Sequence, residues 1–324
     1  MFISKRKIGG KHYYYLEDRA GGKRLSFSLG RKGQAAGRIG EAFDSLVRET
    51  VVGNFRNSEK EFRGGVLSKA EKLTLERLKS DYALLKEFFP QGFDSFREDE
   101  FLRYAQGSAS VEGNSLSLQE ASIVIQKGAS VAGKRIEEIR EIENMKLAAE
   151  TSKNMKKITE RGIKKINAAI LKGFDDKTPG TYRQGPMFIT GSKVRPPPAD
   201  KVGERLAALL GWLGENTGKT HPVELAAEFH ARFEEIHPFN DGNGRTGREL
   251  LQVMLGNAGY PRAIINLENR QGYIALLERV QLSGEYSKFS KFVYMCLEKR
   301  AEEISAILKE DRDAILGGLL KKVG

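Results

Sequence analysis

The stretch Ile236–Arg248, IHPFNDGNGRTGR, places a histidine, a carboxylate and two arginines around a Gly-Asn-Gly turn. Apolar residues at helical spacing precede it, so a helix is expected to end near His237, where Pro238 stops it. Apolar residues at helical spacing also follow it, so a second helix is expected to begin near Gly244. The fold is therefore predicted to be built around two helices joined by this loop.

The loop has the properties of an anion site. Glycines on both sides of Asn243 let consecutive N–H groups point to one side, and the new helix adds its N-terminal donors. Arg245 and Arg248 leave the same face of the first helical turn, so they can bind two phosphate groups.

Two further groups suit phosphate chemistry. Asp241 offers an oxygen ligand for Mg²⁺, and His237 is placed to take a proton from an incoming hydroxyl. A His-Pro pair alone is usually an ordinary helix end, and a Gly-Asn-Gly run alone is usually a loop. Their joint occurrence in one ungapped window favours phosphate-bond chemistry on a nucleotide.

The segment His237–Arg248, here called the signature, resembles that of the Fic (filamentation induced by cAMP) family, with every fixed position present. The resemblance implies transfer of AMP from ATP to a Ser, Thr or Tyr hydroxyl of a target protein or of the chain itself. In that scheme His237 is the general base, Asp241 holds Mg²⁺ and Arg248 binds the γ-phosphate. The remaining phosphate contacts are implied for Gly242, Asn243, Gly244 and Arg245.

An upstream segment, SASVEGN from Ser108 to Asn114, resembles the inhibitory motif of many Fic proteins, Ser/Thr-x-x-x-Glu-Gly/Asn. Ser108 and Glu112 match its fixed positions. A carboxylate at Glu112 that pairs with Arg248 would occupy the place of the γ-phosphate and keep ATP out of line for attack. The alternative is that Glu112 is an exposed residue at a helix end closed by Gly113.

Two other segments resemble parts of the family fold. Residues 180–200 read as an extended segment, a turn and a proline run, similar to the hairpin flap that holds the target through its free backbone edge. The alternative is a connecting loop closed by prolines. After the signature, Tyr273 is predicted to contact adenine, with Asn269 as a second candidate. The alternative for Tyr273 is an aromatic side chain packed in the core.

Composition limits the class of protein. The 324 residues are 40% hydrophobic and 30% charged, with a net charge of +11 and one cysteine, Cys296. These values are typical of a globular protein in a reducing compartment, and no apolar run is long enough to cross a bilayer. We therefore expect a cytoplasmic protein without a membrane partner.

The first 33 residues carry nine basic residues against Glu17 and Asp18. Within them, HYYYLEDR and KRLSFSLG predict two strands joined by Ala20-Gly21-Gly22. Basic residues mixed with tyrosines favour either a weak nucleic-acid contact or a solvated face of a small sheet.

The predicted organisation is a mainly α-helical Fic-type bundle with a small β-hairpin flap, after a small basic region that contains a β-hairpin. That basic region spans residues 1–60 and ends in a helix. A linker is expected over 54–65, and Ser68 with Glu71 predicts a capping box that starts the next helix. The Fic core is expected over 66–300, with the inhibitory segment at 108–114 and the signature at 237–248, and a C-terminal helix over 301–324.

The resulting hypothesis is a protein adenylyltransferase, auto-inhibited by Glu112, that uses ATP and Mg²⁺. Two alternatives stay open: removal of AMP by the same site, and a nucleic-acid-binding regulator that works through the basic N-terminal region. The sequence leaves open the target protein, a donor other than ATP, and homodimerisation.

Overall fold

The computed structural model describes residues 1–20, 22–62, 65–189 and 191–323, and over these ranges the protein is mainly α-helical, as the sequence predicted. The chain divides into two compact units. The first comprises Met1–Arg63, Ser68–Asp94 and Glu298–Gly324, and the second Gly64–Leu67 and Ser95–Leu297. Among the described residues, no helix combines the length and the apolar character needed to cross a membrane.

The first unit contains a three-stranded antiparallel sheet in the order β1-β2-β3, with β1 Phe2–Ile8, β2 Lys11–Ala20 and β3 Lys23–Gly30. The predicted hairpin is confirmed as β2 and β3, in which Leu16 pairs with Phe27. Gly21 of its turn lies outside the described residues. The sequence did not predict β1, because FISKRKI is largely exposed and basic, which suits an edge strand but hides the alternation of a buried one.

Helix α1, Lys32–Glu61, packs on this sheet. Its buried Ile39 and Leu46 share one core with Leu16 and Leu29 of the sheet. The predicted linker is wrong over residues 54–61, because α1 continues through them and buries Ser58 on the same helix. Tertiary burial here overrides a polar sequence. The linker's remaining part includes Arg63 and Gly64, which lie outside the described residues.

The remaining helices are α2 Lys69–Phe88, α3 Pro90–Val111, α4 Leu118–Lys127, α5 Ile136–Ser152, α6 Glu160–Ile170, α7 Val202–Asn216, α8 Pro222–Ile236, α9 Asn243–Asn257, α10 Arg270–Ser283, α11 Ser290–Glu310 and α12 Arg312–Lys321. The predicted capping box at the start of α2 is confirmed. The Ser68 N–H donates to Glu71 Oε2 at 2.6 Å, and the Glu71 N–H donates to Ser68 Oγ at 3.3 Å. The region 301–324, predicted as a C-terminal helix, contains the end of α11 and all of α12. Gly324 lies outside the described residues.

The core of the second unit is formed by α6, α7, α8 and α9. Their buried side chains include Ile166, Leu206, Phe229, Phe233 and Leu250. Because α8 and α9 pack against each other along their apolar faces, the short loop that joins them is supported from below by this core.

Candidate active site

The loop between α8 and α9 turns twice in the left-handed region. His237 caps α8 with a φ of 48°, and its N–H donates to the Phe233 carbonyl at 3.1 Å. Gly242 precedes α9 with a φ of 73°. The loop and both helices lie where the sequence predicted them, with α9 beginning at Asn243.

The side chain of Asn243 closes the loop. Its Oδ1 accepts from the Phe239 N–H at 2.9 Å, and its Nδ2 donates to the Phe239 carbonyl at 2.8 Å. The amide therefore fixes the shape of the loop, and the predicted phosphate contact is left to the backbone N–H groups at the start of α9.

Gly244 is in direct contact with the inhibitory segment. A Cβ placed there would lie 2.2 Å from Glu112 Oε1 and 2.9 Å from Arg248 Nη1. Only a glycine leaves room for a carboxylate this close to the helix N-terminus, where N–H donors and the helix dipole favour negative charge. The structure thus places Glu112 over the predicted phosphate site.

Arg248 links the signature to the inhibitory segment. This side chain is 1% exposed, and its Nη2 donates to Glu112 Oε1 at 2.7 Å and to the Ser108 carbonyl at 2.8 Å. Its Nε donates to Ser108 Oγ at 2.9 Å. Desolvation acts to raise the pKa of Glu112, but the Arg248 guanidinium holds this pKa below its usual value. The Glu112 carboxyl is therefore charged at neutral pH. Glu112 keeps 38% of its side chain exposed, so it has room to leave.

Arg245 is buried and points to a different carboxylate. Its Nη1 donates to Glu141 Oε1 at 3.1 Å, and its Nη2 donates to Asp241 Oδ1 at 3.3 Å. Glu141 Oε2 in turn accepts from Asn114 Nδ2 at 2.9 Å. Glu141 and Asn114 therefore form a second connection between the signature and the inhibitory segment, which the sequence did not reveal.

Asp241 lies beside the loop with three donors around it. Oδ1 accepts from the Gly242 N–H at 2.5 Å and from Arg245, and Oδ2 pairs with Lys177 Nζ at 3.1 Å. Burial acts to raise the pKa of Asp241, but Arg245, Lys177 and the Gly242 N–H together hold it below its usual value. Over the described ranges, no group of three His, Cys, Asp or Glu side chains could hold a metal alone. One carboxylate suits Mg²⁺ only where substrate phosphates supply further oxygens, which is the usual arrangement in nucleotide sites.

The His237 ring is oriented by the end of α8. Its Nδ1 lies 3.2 Å from the Glu234 carbonyl, which can only accept, so Nδ1 carries the proton and Nε2 keeps a free lone pair. Burial lowers the pKa of His237 below its ordinary value, although the Glu234 carbonyl opposes this shift. The imidazole is therefore neutral at pH 7 and able to accept a proton.

Tyr273 and Asn269 do not lie on an open nucleotide surface. Tyr273 is 3% exposed, packs on Phe289 and Phe292, and places its hydroxyl 3.0 Å from His230 Nε2 and 3.5 Å from Arg248 Nη1. This is the core position that the sequence offered as the alternative. Asn269 accepts from the Asn266 N–H at 2.9 Å, so its side chain holds the turn before α10.

The predicted flap over 180–200 is extended and contains a turn, in which the Ser192 N–H donates to the Ile189 carbonyl at 3.0 Å. Thr190 lies outside the described residues. Among the residues described on either side of it, the two arms form no strand ladder, and the bridge recorded in this segment joins Tyr182 to Phe239. The hairpin of the prediction is thus not paired as a ladder here. Prolines have no N–H to donate, and four of them lie in this segment.

Arg183 is a functional candidate that sequence reasoning missed. It is buried, and its guanidinium donates to the carbonyls of His237 at 2.8 Å, Gly185 at 3.0 Å and Pro197 at 2.5 Å. Its own N–H donates to the Pro238 carbonyl at 3.0 Å. One arginine therefore ties both arms of the flap to the end of α8, where a cation is favoured by the helix dipole. No local signal distinguishes it from a solvated arginine.

Asn167 is a second residue whose role only the structure reveals. Its Nδ2 donates to the Asp241 carbonyl at 3.0 Å, and its Oδ1 accepts from the Gly180 N–H at 2.9 Å. This buried amide joins α6 to the signature loop and to the start of the flap.

Comparisons with known proteins agree with this geometry. Residues 157–255 match the model of the Fic/DOC family. The chain is 31% identical over 214 residues to the protein adenylyltransferase Fic of Culex quinquefasciatus, which covers 64% of this chain and 42% of that protein. It is 32% identical over 212 residues to the Drosophila virilis protein of the same name, covering 63% of this chain and 42% of that protein. The chain thus spans less than half the length of these curated relatives.

Solved structures show the same fold. Fic-1 of C. elegans, residues 134–508, superposes with a TM-score of 0.64 at 26% identity, over 86% of this chain and 84% of that one. A Fic family protein from Desulfovibrio desulfuricans gives 0.65 at 26% identity, over 76% of each chain. A Fic domain containing signaling protein from Bacteroides thetaiotaomicron shares the fold with a TM-score of 0.65 at 22% identity, over 77% of this chain and 96% of that one. The chain therefore carries a Fic domain: residues 157–255, which include the flap and the signature, belong to the Fic/DOC family.

Proposed function

We propose that this chain is a protein adenylyltransferase that moves AMP from ATP to a Ser, Thr or Tyr hydroxyl of a target protein or of itself. The observation that carries the proposal is the ion pair of Arg248 with Glu112, which covers the N-terminus of α9. A buried guanidinium beside free helix N–H groups suits a phosphate chain. Relatives that match 64% and 63% of this chain bear the name protein adenylyltransferase Fic.

In the proposed reaction, His237 Nε2 takes the proton of the target hydroxyl as its oxygen attacks the α-phosphorus. A new P–O bond forms, the bond between the α- and β-phosphates breaks, and pyrophosphate leaves. The N–H groups at the start of α9 and Arg248 bind the phosphate oxygens and stabilise charge that develops there. Asp241 would hold Mg²⁺, which supplies further positive charge to the triphosphate.

Self-inhibition by Glu112 is part of the proposal. Its carboxylate uses the Nη2 donor of Arg248, so a γ-phosphate must displace Glu112 before ATP can be seated. Removing the carboxylate frees Arg248. A coupling of about 1–3 kcal/mol between the two occupants corresponds to roughly 5- to 150-fold in nucleotide binding.

The test is labelling with α-³²P-ATP and Mg²⁺, with and without cell lysate. We expect Glu112→Gly to raise protein-bound label by about 5- to 150-fold over wild type, and Glu112→Gly with His237→Ala to lose it. Glu215→Gly, which removes an exposed carboxylate of α7, is the matched control and should label like wild type. If Glu112→Gly labels nothing, AMP transfer is rejected, and release of AMP from a modified protein becomes the next assay.

A second candidate function is nucleic-acid binding by the N-terminal sheet. Arg6 and Arg24 both pair with the buried Glu17 on one face of the sheet, and Arg6 lies 4.2 Å from the centre of the Tyr15 ring. The carboxylate fixes two half-exposed guanidinium groups beside an aromatic ring, an arrangement suited to a phosphate backbone.

This candidate is tested by the salt dependence of binding to a fluorescent DNA duplex. The double variant Arg6→Gln, Arg24→Gln should reduce the slope of log K against log salt by about 2 if each arginine contacts one phosphate. Point substitutions are used and the sheet is not deleted, because Leu16 and Leu29 of the same sheet belong to the core. Lys60→Gln with Lys86→Gln is the control and should leave this slope unchanged. A binding constant that does not change with salt concentration would reject the candidate.

A further inference from the structure

A second concentration of positive charge lies within the Fic domain. Residues 153–172 contain seven basic residues and one acidic residue, Glu160. Six of the seven are exposed, on α6 and in the segments on either side of it. The signature does not use this charge.

Part of this charge lines an open groove of about 680 Å³ between α6 and the root of the flap. Its lining includes Glu160, Arg161, Lys164, Lys165 and Gly180. Lys164 is occupied, because it pairs with Glu160 at 2.8 Å and lies 4.1 Å from the centre of the Tyr182 ring. Arg161 and Lys165 are exposed, and in the described ranges neither has a carboxylate partner.

The groove is joined rigidly to the catalytic loop. Gly180 packs directly on α6, since a Cβ there would lie 2.9 Å from the Lys164 carbonyl, and its N–H is bound by Asn167. Two residues later, Tyr182 pairs with Phe239, which is two residues from His237. The path from Gly180 to His237 thus has two extended steps of two residues each and one strand spacing between Tyr182 and Phe239. Its length is roughly 18 Å, which an extended peptide covers in about six residues.

We propose that this groove binds an acidic stretch of the polypeptide that is modified. The inference rests on the proposed function, because the flap would hold the same polypeptide with its hydroxyl at His237. Glutamate or aspartate side chains within about six residues of that hydroxyl reach Arg161 and Lys165. Such pairing selects acidic targets among the many hydroxyls that backbone pairing alone accepts.

The test uses fluorescein-labelled peptides with one threonine and a run of glutamates about five residues to either side, and the same peptides with glutamines. Anisotropy titrations are done on the full chain at low salt without ATP. We expect the better glutamate peptide to bind about 3- to 10-fold more tightly than its glutamine partner. Arg161→Gln with Lys165→Gln should remove this preference, whereas Lys127→Gln with Lys219→Gln, the same charge loss outside the groove, should keep it.

Equal binding of the glutamate and glutamine peptides would overturn the proposal. The proposal would also be overturned if both double variants lost the preference for the glutamate peptide equally. An oligonucleotide that binds more tightly than the glutamate peptide, and only with Arg161 and Lys165 intact, would assign the groove to nucleic acid instead. Binding is read without AMP transfer. A protein that keeps the glutamate preference but never labels from ATP would therefore reject the proposed activity and leave the groove assignment standing.

Discussion

The signature and the N-terminal sheet each contain two arginines that pair with carboxylates, but the arginines differ in how far they are buried. Arg245 and Arg248 are buried, and each already pairs with carboxylates of the chain. On the sheet, Arg6 and Arg24 share the buried Glu17, and their side chains remain 42% and 56% exposed.

The difference lies in how each region would receive an anion. In the proposed function, a phosphate that binds at the signature would have to replace Glu112 as the partner of Arg248. On the sheet, Glu17 orients the two guanidinium groups and their outer donors stay in contact with solvent. The first arrangement is suited to control, and the second to direct contact.

The largest expected effect concerns the signature. In a Glu112→Gly background, His237→Ala should lower AMP transfer by about 10²- to 10⁴-fold, because general base catalysis contributes that much. ATP binding by calorimetry should change little, since His237 contacts no phosphate in the proposed scheme. If the double variant keeps more than a tenth of the AMP-transfer rate of Glu112→Gly, the general base is a group other than His237.

A smaller effect is expected from the buried arginine outside the signature. Arg183→Gln should lower the free energy of unfolding of the Fic domain by about 3 kcal/mol, because several buried carbonyls lose a charged donor. Urea denaturation followed by Trp212 fluorescence measures this. Arg195→Gln, an exposed arginine of the same flap, is the control, and equal changes in the two variants would show that Arg183 does not stabilise the loop.

The smallest effect concerns the sheet. Burial acts to raise the pKa of Glu17, but hydrogen bonds from Arg24, Ser26 and Arg6 lower it to about 2, against a usual 4.5. The stabilisation is therefore fully present above about pH 4.5 and is lost as pH falls toward 2. Glu17→Gln should weaken the sheet by about 2 kcal/mol at pH 7, and by less at lower pH.

Amide hydrogen exchange of β2 and β3, measured at several pH values, tests this prediction. Asp18→Asn, on the neighbouring residue, serves as the control. A loss of protection in Glu17→Gln that stays constant from pH 7 to about pH 3 would show that the ion pairs contribute nothing to the sheet.

The sequence predicted the features that local chemistry determines. Helix ends at His237 and Asn243, the capping box at Ser68 and the β2–β3 hairpin all follow from residues within a few positions of each other. The family resemblance added the contact of Glu112 with Arg248, although these residues are far apart in the chain.

The missed features depend on distant partners. Arg183 and Asn167 act on carbonyls and N–H groups of other segments, and nothing in their neighbouring residues shows that they are buried. Tyr273 is buried against Phe289 and Phe292, and its contact with adenine stays a prediction, because a helix-face aromatic gives the same sequence pattern in a core and beside a nucleotide. The strand β1 was hidden because its charged residues protect a sheet edge.

The absence of a side chain at Gly244 limits which substitutions this position can accept. Any larger residue there would collide with the Glu112 carboxylate, and a phosphate seated in the same position would meet the same obstacle. In the proposed function, inhibitor and substrate thus share one steric requirement, and a larger side chain at this position would exclude both. If Glu112 inhibits as proposed, a change in the strength of inhibition has to come from the charge or the mobility of the segment 108–114, because Gly244 leaves no room for a change in the shape of the phosphate site.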